Sequence, residues 1–241
     1  MFSLKKRVSL VLAKFHVGEK IRKKHVLKLI RAHIKNCTQI LDAGCGRGDF
    51  VFECRKLNKT SFIQGLDLNS KNITLCVDRV NLCRTQNIDF IEEDLQNLKE
   101  RARFDLIYSV DVLEHVSDPH SVLKNFYQAL KENGKMILHV PKLHQKHILK
   151  RFQNWHQEDH VREGFNPNEL VKDLRKIGFK DVKYEYTFGF FGTVAWDLFT
   201  FFFDFNRLIG LLSYFFLYPF IICDVLFKNK NGNGLLVYAR K

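Results

Sequence analysis

Short apolar runs alternate along the chain with stretches in which apolar residues return every three or four positions. The runs cover residues 40–43, 61–68, 88–95, 104–111, 136–141, 182–186 and 235–239, are rich in Ile, Val, Phe and Tyr, and are punctuated by Gly, Asn or Asp. Each reads as a strand. Between them, Phe50, Val51, Phe52 and Leu57, the stretch from Ser70, the set Leu123, Phe126 and Leu130, and the stretch after Pro167 carry helical spacing. Asn166 before Pro167 supplies an N-cap with proline at the first helical position, and Gly178 ends that helix. Strands alternating with helices place the chain in the α/β class.

The first run continues into Asp42-Ala43-Gly44-Cys45-Gly46-Arg47-Gly48, with glycines on alternate positions. Glycine is wanted where the backbone turns sharply at the carboxyl end of a strand and a Cβ would fill space needed by a ligand. Dinucleotide-binding turns read Gly-x-Gly-x-x-Gly, so the spacing here disfavours NAD. The second run ends near Asp67, 25 residues after Asp42, slightly beyond the usual interval of about 20 for a ribose-binding carboxylate. A carboxylate can accept hydrogen bonds from two vicinal hydroxyls, which suits ribose. The alternative is an aspartate that caps the helix from Ser70.

These motifs resemble class I S-adenosylmethionine-dependent methyltransferases, in particular the ubiquinone-biosynthesis O-methyltransferase-like group (methyltransferase types 11 and 23). The resemblance spans residues 40–186 and the final strand. It implies a Rossmann-like seven-stranded sheet, mostly parallel with the last strand antiparallel and helices on both faces, and S-adenosyl-L-methionine as cofactor. On that resemblance Asp42, Ala43, Gly44, Cys45, Gly46 and Gly48 cradle the methionine half, with Asp42 helping to hold its amino group. Asp67 and Leu68, Asp94 and Leu95, and Ser109 and Val110 complete the cofactor-binding set, Asp94 meeting the adenine amino group. Read alone, Asp94 is also a loop acid of the kind that keeps a surface soluble.

Asp111-Val112-Leu113-Glu114-His115-Val116 resembles the Glu-x-x-Glu-His-Val segment of the ubiquinone-type enzymes, with Asp111 replacing the first Glu. The Asn/Asp-Pro-Pro-Tyr of amino-directed adenine methyltransferases is absent from the sequence. Asp111, Glu114 and His115 are expected to line the cofactor pocket and cap the next helix. A second reading joins Glu114 and His115 to a later histidine around Mg, Mn or Zn, as in small-RNA 2′-O-methyltransferases. Adjacent helical positions diverge by about 100°, however, so no metal is the main expectation. Further on, Asp159-His160-Val161-Arg162-Glu163-Gly164-Phe165-Asn166-Pro167 resembles an element of the same group in which a histidine precedes the next helix. A hydroxyl acceptor must lose a proton, and His160, then His115, are the candidate bases.

Length and composition narrow the picture. At 241 residues and 46% hydrophobic, the chain suits one folded α/β domain with an appendage. Lys and Arg number 39 against 26 acids, a net charge of +13 that favours an anionic partner, either nucleic acid or an acidic membrane leaflet. Cys37, Cys45, Cys54, Cys76, Cys83 and Cys223 show neither Cys-x-x-Cys nor zinc spacing, as expected of reduced thiols in the cytosol. Residues 1–36 are basic and nearly free of acids, and read as one or two amphipathic helices. The part over 21–34 is expected beside the cofactor site and the part over 1–17 as an interfacial anchor. An organelle transit peptide stays open, whereas the apolar core at 8–13 is too short for a secretory signal.

From 188 to 227 the composition changes, holding about half of the 23 phenylalanines with Asp197, Asp204, Arg207 and Asp224 as its charges. The chain therefore divides into 1–36, a methyltransferase unit of 37–187 with 232–241, and an insertion at 188–231. In the resembled family the sixth and last strands are antiparallel neighbours, so both ends of the insertion belong at the carboxyl edge of the sheet, beside the cofactor. Asp204-Phe205-Asn206-Arg207 splits it into arms of roughly 16 and 20 residues, and Pro219 is expected to interrupt the second. A single membrane crossing is excluded, and a re-entrant or interfacial hairpin fits better than two spans. The alternative is a soluble lid or dimer surface. The sequence thus points to methylation of a lipid-soluble or lipid-linked hydroxyl on the cytosolic face of a membrane, by a peripheral or monotopic enzyme. An RNA methyltransferase and a scaffold without turnover are the other readings, and the oligomeric state is not specified.

Overall fold

All seven apolar runs become strands of one sheet in the computed structural model, which describes residues 16–153 and 161–241. The strands are β1 (Gln39–Ala43), β2 (Phe62–Asp67), β3 (Ile88–Glu92), β4 (Phe104–Val110), β5 (Leu130–Pro141), β6 (Lys180–Thr187) and β7 (Gly234–Arg240). Their order is β3-β2-β1-β4-β5-β7-β6, and β7 runs antiparallel to β5 and β6 while the others run in one direction. The helices are α1 (Val17–His33), α2 (Asp49–Leu57), α3 (Ser70–Cys83), α4 (Pro119–Ala129), α5 (Pro167–Ile177), α6 (Phe190–Phe205) and α7 (Arg207–Leu226).

Successive strand residues alternate between faces, so each buried strand feeds two cores. Leu41, Leu66, Ile107 and Met136 meet Val122, Phe126, Leu170 and Leu174 of α4 and α5. Ile40, Ile63, Leu106 and Ile137 meet Ile30 of α1, Val51 of α2 and Cys76 of α3.

The helix ends rule out one alternative and correct one expectation. Asn69, not Asp67, caps α3, its side chain accepting from Lys71 N and Asn72 N. The segment after β4 does not run directly into α4: a 3-10 turn at Leu113–His115 intervenes, and the cap is Asp118, which accepts from Ser121 N at 3.0 Å. Proline at the first position of α4 favours a fresh start there over continuation of the preceding turn. The expectations for Asn166 and Gly178 hold, Asn166 accepting from Asn168 N and Glu169 N and Gly178 adopting φ +119°.

The insertion is a helical hairpin whose arms, α6 and α7, are 16 and 20 residues long. Thr187 and Pro141 both pair with Gly234, so the hairpin leaves and re-enters at the edge that carries the glycine turn. Asn206 caps the second arm. Pro219 lies inside α7 without ending it, contrary to expectation; Leu217 before it and Ile221 after it are buried in one cluster with Ala195 and Phe199 of α6, and that packing supports both sides of the proline.

The hairpin has a core of its own, built with α1: Val17 and Ile21 of α1, Ala195 and Phe199 of α6, and Tyr214, Leu217 and Ile221 of α7. Two of its acids are buried anchors rather than surface charges. Asp224 accepts from His25 Nε2 at 2.8 Å and from the backbone N–H of Phe188 and Gly192 at 3.1 Å. Asp197 is bonded to His147 Nδ1 at 2.8 Å and accepts from Ile148 N and Leu149 N at 2.7 and 2.9 Å. Buried carboxylates need such partners to offset desolvation. Asp224→Ala strands His25 and two amides, and is expected to cost about 3–5 kcal/mol. Urea unfolding followed by tryptophan fluorescence measures it; an unshifted midpoint would contradict the anchor role.

Candidate active site

The backbone after β1 is braced before it turns: Gly44 N and Cys45 N both donate to Leu66 O, each at 2.8 Å. Gly44, Gly46 and Gly48 then adopt φ of +80°, +52° and +74°, in the left-handed region. Their reasons differ. A Cβ on Gly44 would lie 2.3 Å from Val112 Cγ2, and one on Gly48 would lie 3.0 Å from Cys76 Sγ and Phe90 Cζ, whereas one on Gly46 would meet nothing within 4 Å. Gly44 and Gly48 are required by packing, and Gly46 borders open space at the carboxyl edge.

Asp67 closes the turn, its Oδ2 accepting from Gly46 N at 2.7 Å and its Oδ1 from Asn69 N at 2.9 Å and Asn72 Nδ2 at 3.3 Å. A carboxylate oxygen can accept two hydrogen bonds, so Oδ2 keeps capacity for a hydroxyl. Leu68, next to it, leaves an apolar side chain exposed. Asp42 is buried and its Oδ2 meets no hydrogen-bond partner of good geometry; burial first, and then the charges of Asp67 and Asp49, push its carboxyl well above the carboxylate range against the opposing pull of the neighbouring Tyr108 hydroxyl. An ammonium group of a ligand would answer that orphaned oxygen.

The remaining residues expected to bind cofactor divide by role. Asp94 is half-buried and caps the short 3-10 turn at Leu95–Asn97 by accepting from Gln96 N at 2.9 Å, while Glu93 N donates to Asp67 O. Leu95 and Ala43 belong to the core, and Cys45 packs with Cys76 and Phe90. Ser109 is buried and donates to Ala43 O at 2.8 Å, tying β4 to β1; Val110 is half-buried at the strand end.

Across the turn stands a charged wall that local spacing does not reveal. Asp111, at φ +51°, is bonded through Oδ1 to His139 Nδ1 and through Oδ2 to Arg22 Nη2 at 2.5 Å. His139 Nε2 lies 2.9 Å from Thr187 Oγ1. Burial lowers the pKa of His139, outweighing the opposite effect of Asp111. Neither Arg22 nor Thr187 has a local signature, but a histidine inside the apolar run of β5 is a visible oddity, since buried polar groups need partners.

Glu114 is buried with no hydrogen-bond partner for Oε2. Burial, and then Asp111, raise its pKa to about 8 against the pull of Arg22 and Arg162. His115 beside it is exposed, so the two side chains diverge; among the described residues no cluster of three or more His, Cys, Asp or Glu side chains is arranged to hold a metal. His160 lies outside the described residues. Val161, which follows it, donates to Glu114 O at 3.0 Å, and Arg162 donates to Val116 O and Ser117 O at 2.9 and 3.0 Å.

Space beside Gly46, an orphaned acid at Asp42 and an acceptor at Asp67 together fit the amino-acid and ribose parts of S-adenosylmethionine. Gly46→Ala is expected to weaken S-adenosylmethionine binding about tenfold or more in calorimetry while strain costs about 1–2 kcal/mol of stability; unaltered affinity would put the cofactor elsewhere. For Glu114 the folded state holds a proton that the unfolded state releases, so its stabilising effect is complete below about pH 4.5 and lost as pH rises through about 8. Glu114→Gln should flatten the decline of melting temperature over that interval, and a parallel decline in both proteins would disprove the assignment.

The methyltransferase-domain family matches residues 15–184. Phosphoethanolamine N-methyltransferase 1 of Triticum aestivum is 30% identical over 107 residues, 44% of this chain and 21% of that protein. The ubiquinone biosynthesis O-methyltransferase of Coxiella burnetii is 29% identical over 123 residues, 51% of this chain and 50% of that protein. The matched stretches thus span between about a fifth and a half of these relatives. Among solved structures, Haemonchus contortus phosphoethanolamine N-methyltransferase 2 in complex with S-adenosyl-L-methionine aligns with a TM-score of 0.66 at 21% identity, over 89% of this chain and 51% of that one. A methyltransferase from Archaeoglobus fulgidus aligns with a TM-score of 0.61 at 18% identity, over 90% of this chain and 92% of that one. These structures share the fold. With a matching family, that fold and the glycine turn closed by Asp67, the chain belongs to the class I S-adenosylmethionine-dependent methyltransferases.

Proposed function

We propose that this protein transfers the methyl group of S-adenosylmethionine to a hydroxyl of a lipid-soluble or lipid-linked acceptor at an anionic membrane surface. One observation carries this reading: an apolar hairpin is rooted at the cofactor edge and exposes large apolar side chains on its outer face. Leu208, Leu212, Phe215, Phe216 and Leu226 of α7 are exposed, Phe216 by 81%, as are Phe201 and Phe205 of α6. Each such side chain gains about 1.5–3 kcal/mol when fully buried, so seating several of them in an interface is a large driving force.

Cations frame the face. Arg207 opens α7, Lys228 and Lys230 follow it, Lys24 Nζ stands 5.4 Å from the centre of the Tyr218 ring, and Lys28 Nζ donates to Val225 O at 3.2 Å. Asp204, an exposed acid of the hairpin, is bridged to Arg151 at 3.0 Å. Apolar surface ringed by positive charge suits an acidic leaflet. By length and composition α7 could cross a bilayer, with a mean hydropathy of 1.9. The 16 residues of α6 reach only about 24 Å, short of a hydrocarbon core of about 30 Å. The hairpin's inner faces are moreover locked to α1 through His25 and Asp224. Interfacial seating is the better fit.

The cofactor supplies an electrophilic methyl carried on a sulfonium. The protein's part is to align the acceptor oxygen for in-line displacement and to take its proton. His160 and His115 are proposed for the proton. The ubiquinone biosynthesis O-methyltransferase fits an oxygen acceptor, while the phosphoethanolamine N-methyltransferase, matched at similar identity, keeps a nitrogen acceptor as the second reading.

The deciding experiment incubates the protein and labelled S-adenosylmethionine separately with a total lipid extract and a total RNA extract. Label in the lipid fraction is expected, and label in RNA would replace this reading with the one that the net charge of +13 alone supports. Leu212→Asp with Phe216→Asp should abolish co-sedimentation with phosphatidylglycerol-containing vesicles yet leave S-adenosylhomocysteine binding within about twofold, because the two sites share no side chain.

A further inference from the structure

We propose that α1, the reaction rim and the apolar hairpin are coupled by a relay of hydrogen bonds, buried at His139, Thr187, Asp224 and His25 and continued through the backbone, in which His139 and Thr187 are positioning residues for Asp111. The relay starts on α1, where Arg22 and His25 lie three residues apart and so share a helix face. Arg22 Nη2 meets Asp111 Oδ2 at 2.5 Å, Asp111 Oδ1 meets His139 Nδ1, and His139 Nε2 meets Thr187 Oγ1 at 2.9 Å. The residue after Thr187 continues it: Phe188 N donates to Asp224 Oδ2 at 3.1 Å, and that oxygen lies 2.8 Å from His25 Nε2, back on α1.

The direction of each bond at the rim follows from chemistry. Asp111 can only accept as a carboxylate, so His139 carries its proton on Nδ1. A buried neutral imidazole then presents Nε2 as an acceptor, and the Thr187 hydroxyl donates to it. Removing the His139 ring would leave the buried Thr187 hydroxyl without this acceptor. Space is equally constrained, since a Cβ on Gly234 would lie 2.3 Å from Thr187 Oγ1 and 3.0 Å from His139 Nε2.

Each end of this relay touches a functional element. At the rim, Val112 follows Asp111 and fills the space over Gly44, so a ligand that orders the glycine turn also orders Asp111. At the other end, Thr187 and Asp224 root the two arms of the hairpin. Ordering one end reduces the entropy that remains to be lost at the other, and the effect is reciprocal by linkage. This inference needs no lipid and does not depend on which acceptor is methylated.

Hydrogen–deuterium exchange over residues 188–227, with and without S-adenosylhomocysteine, tests it. Wild-type protein and Thr187→Ser, which keeps the hydroxyl, are expected to show exchange slowed about 5-fold or more by the ligand, the lower end of ordinary inter-site coupling. In Thr187→Val the slowing should vanish although calorimetry still detects binding. His139→Asn, which retains a donor for Asp111 but cannot reach Thr187, should behave like the valine variant. No slowing in the wild type, or equal slowing in Thr187→Val, would overturn the proposal. So would a Thr187→Val protein whose hairpin exchanges faster by the same factor with and without ligand, since that is the signature of a merely structural contact.

Discussion

Because β1 to β6 run in one direction, their carboxyl ends share one edge, and the antiparallel β7 has to begin where β6 finishes. That geometric constraint decides where everything else in this protein lies. The glycine turn leaves β1 at that edge and is latched by Asp67 from the end of β2. Asp111 leaves β4 there, and the hairpin rises between Thr187 and Gly234. An insertion elsewhere in the chain, for example between β2 and its helix, would alter the cofactor cradle itself; between β6 and β7 it adds a surface next to the site and leaves the cradle intact.

Connecting a greasy hairpin to a soluble sheet demands more than apolar packing, which is nondirectional. The directional part comes from carboxylates facing histidines: Asp224 with His25, Asp197 with His147, and Asp111 with His139. Each aspartate also receives further donors, from backbone amides at Asp224 and Asp197 and from Arg22 at Asp111. Buried pairs of this kind add little net stability compared with an apolar substitute, but they are costly to break, so they fix one arrangement out of several that the phenylalanines alone would tolerate. Helix α1 takes part in two of the three pairs' networks, through Arg22 and His25, and so belongs to the working edge as much as to the core.

Local pattern made the strands, the glycine turn, the Asn166 cap and the lengths of the hairpin arms readable in the sequence, because period, turn chemistry and composition act over a few residues. It misjudged places where a neighbour in space decides. Pro219 is carried within α7 by packing on α6, and α4 starts afresh at Asp118 instead of growing from Glu114. The polar relay was invisible for the same reason: His25 and Asp224 are 199 residues apart, and His139 and Asp111 are 28 apart. What could have raised it is the anomaly at each end, a carboxylate in an apolar stretch or a histidine in a buried strand, because the large majority of such buried groups are hydrogen-bonded.

The hairpin's sequence looks apolar nearly all round, yet its two faces have different fates. The inner face is used up against α1, with Phe199, Leu217 and Ile221 buried, while Leu212, Phe215 and Phe216 face outward. Two kinds of partner could cover such a surface, a lipid interface or a second copy of the chain. A two-fold dimer is isologous, so it would bring together two identical sets of cations around the patch, from Arg207 at one end of α7 to Lys228 and Lys230 at the other. Desolvating like charges beside each other opposes the apolar gain, whereas an acidic leaflet neutralises them while accepting the same side chains. The charge frame, more than the hydropathy of α7, is therefore the support for the proposed membrane partner over self-association.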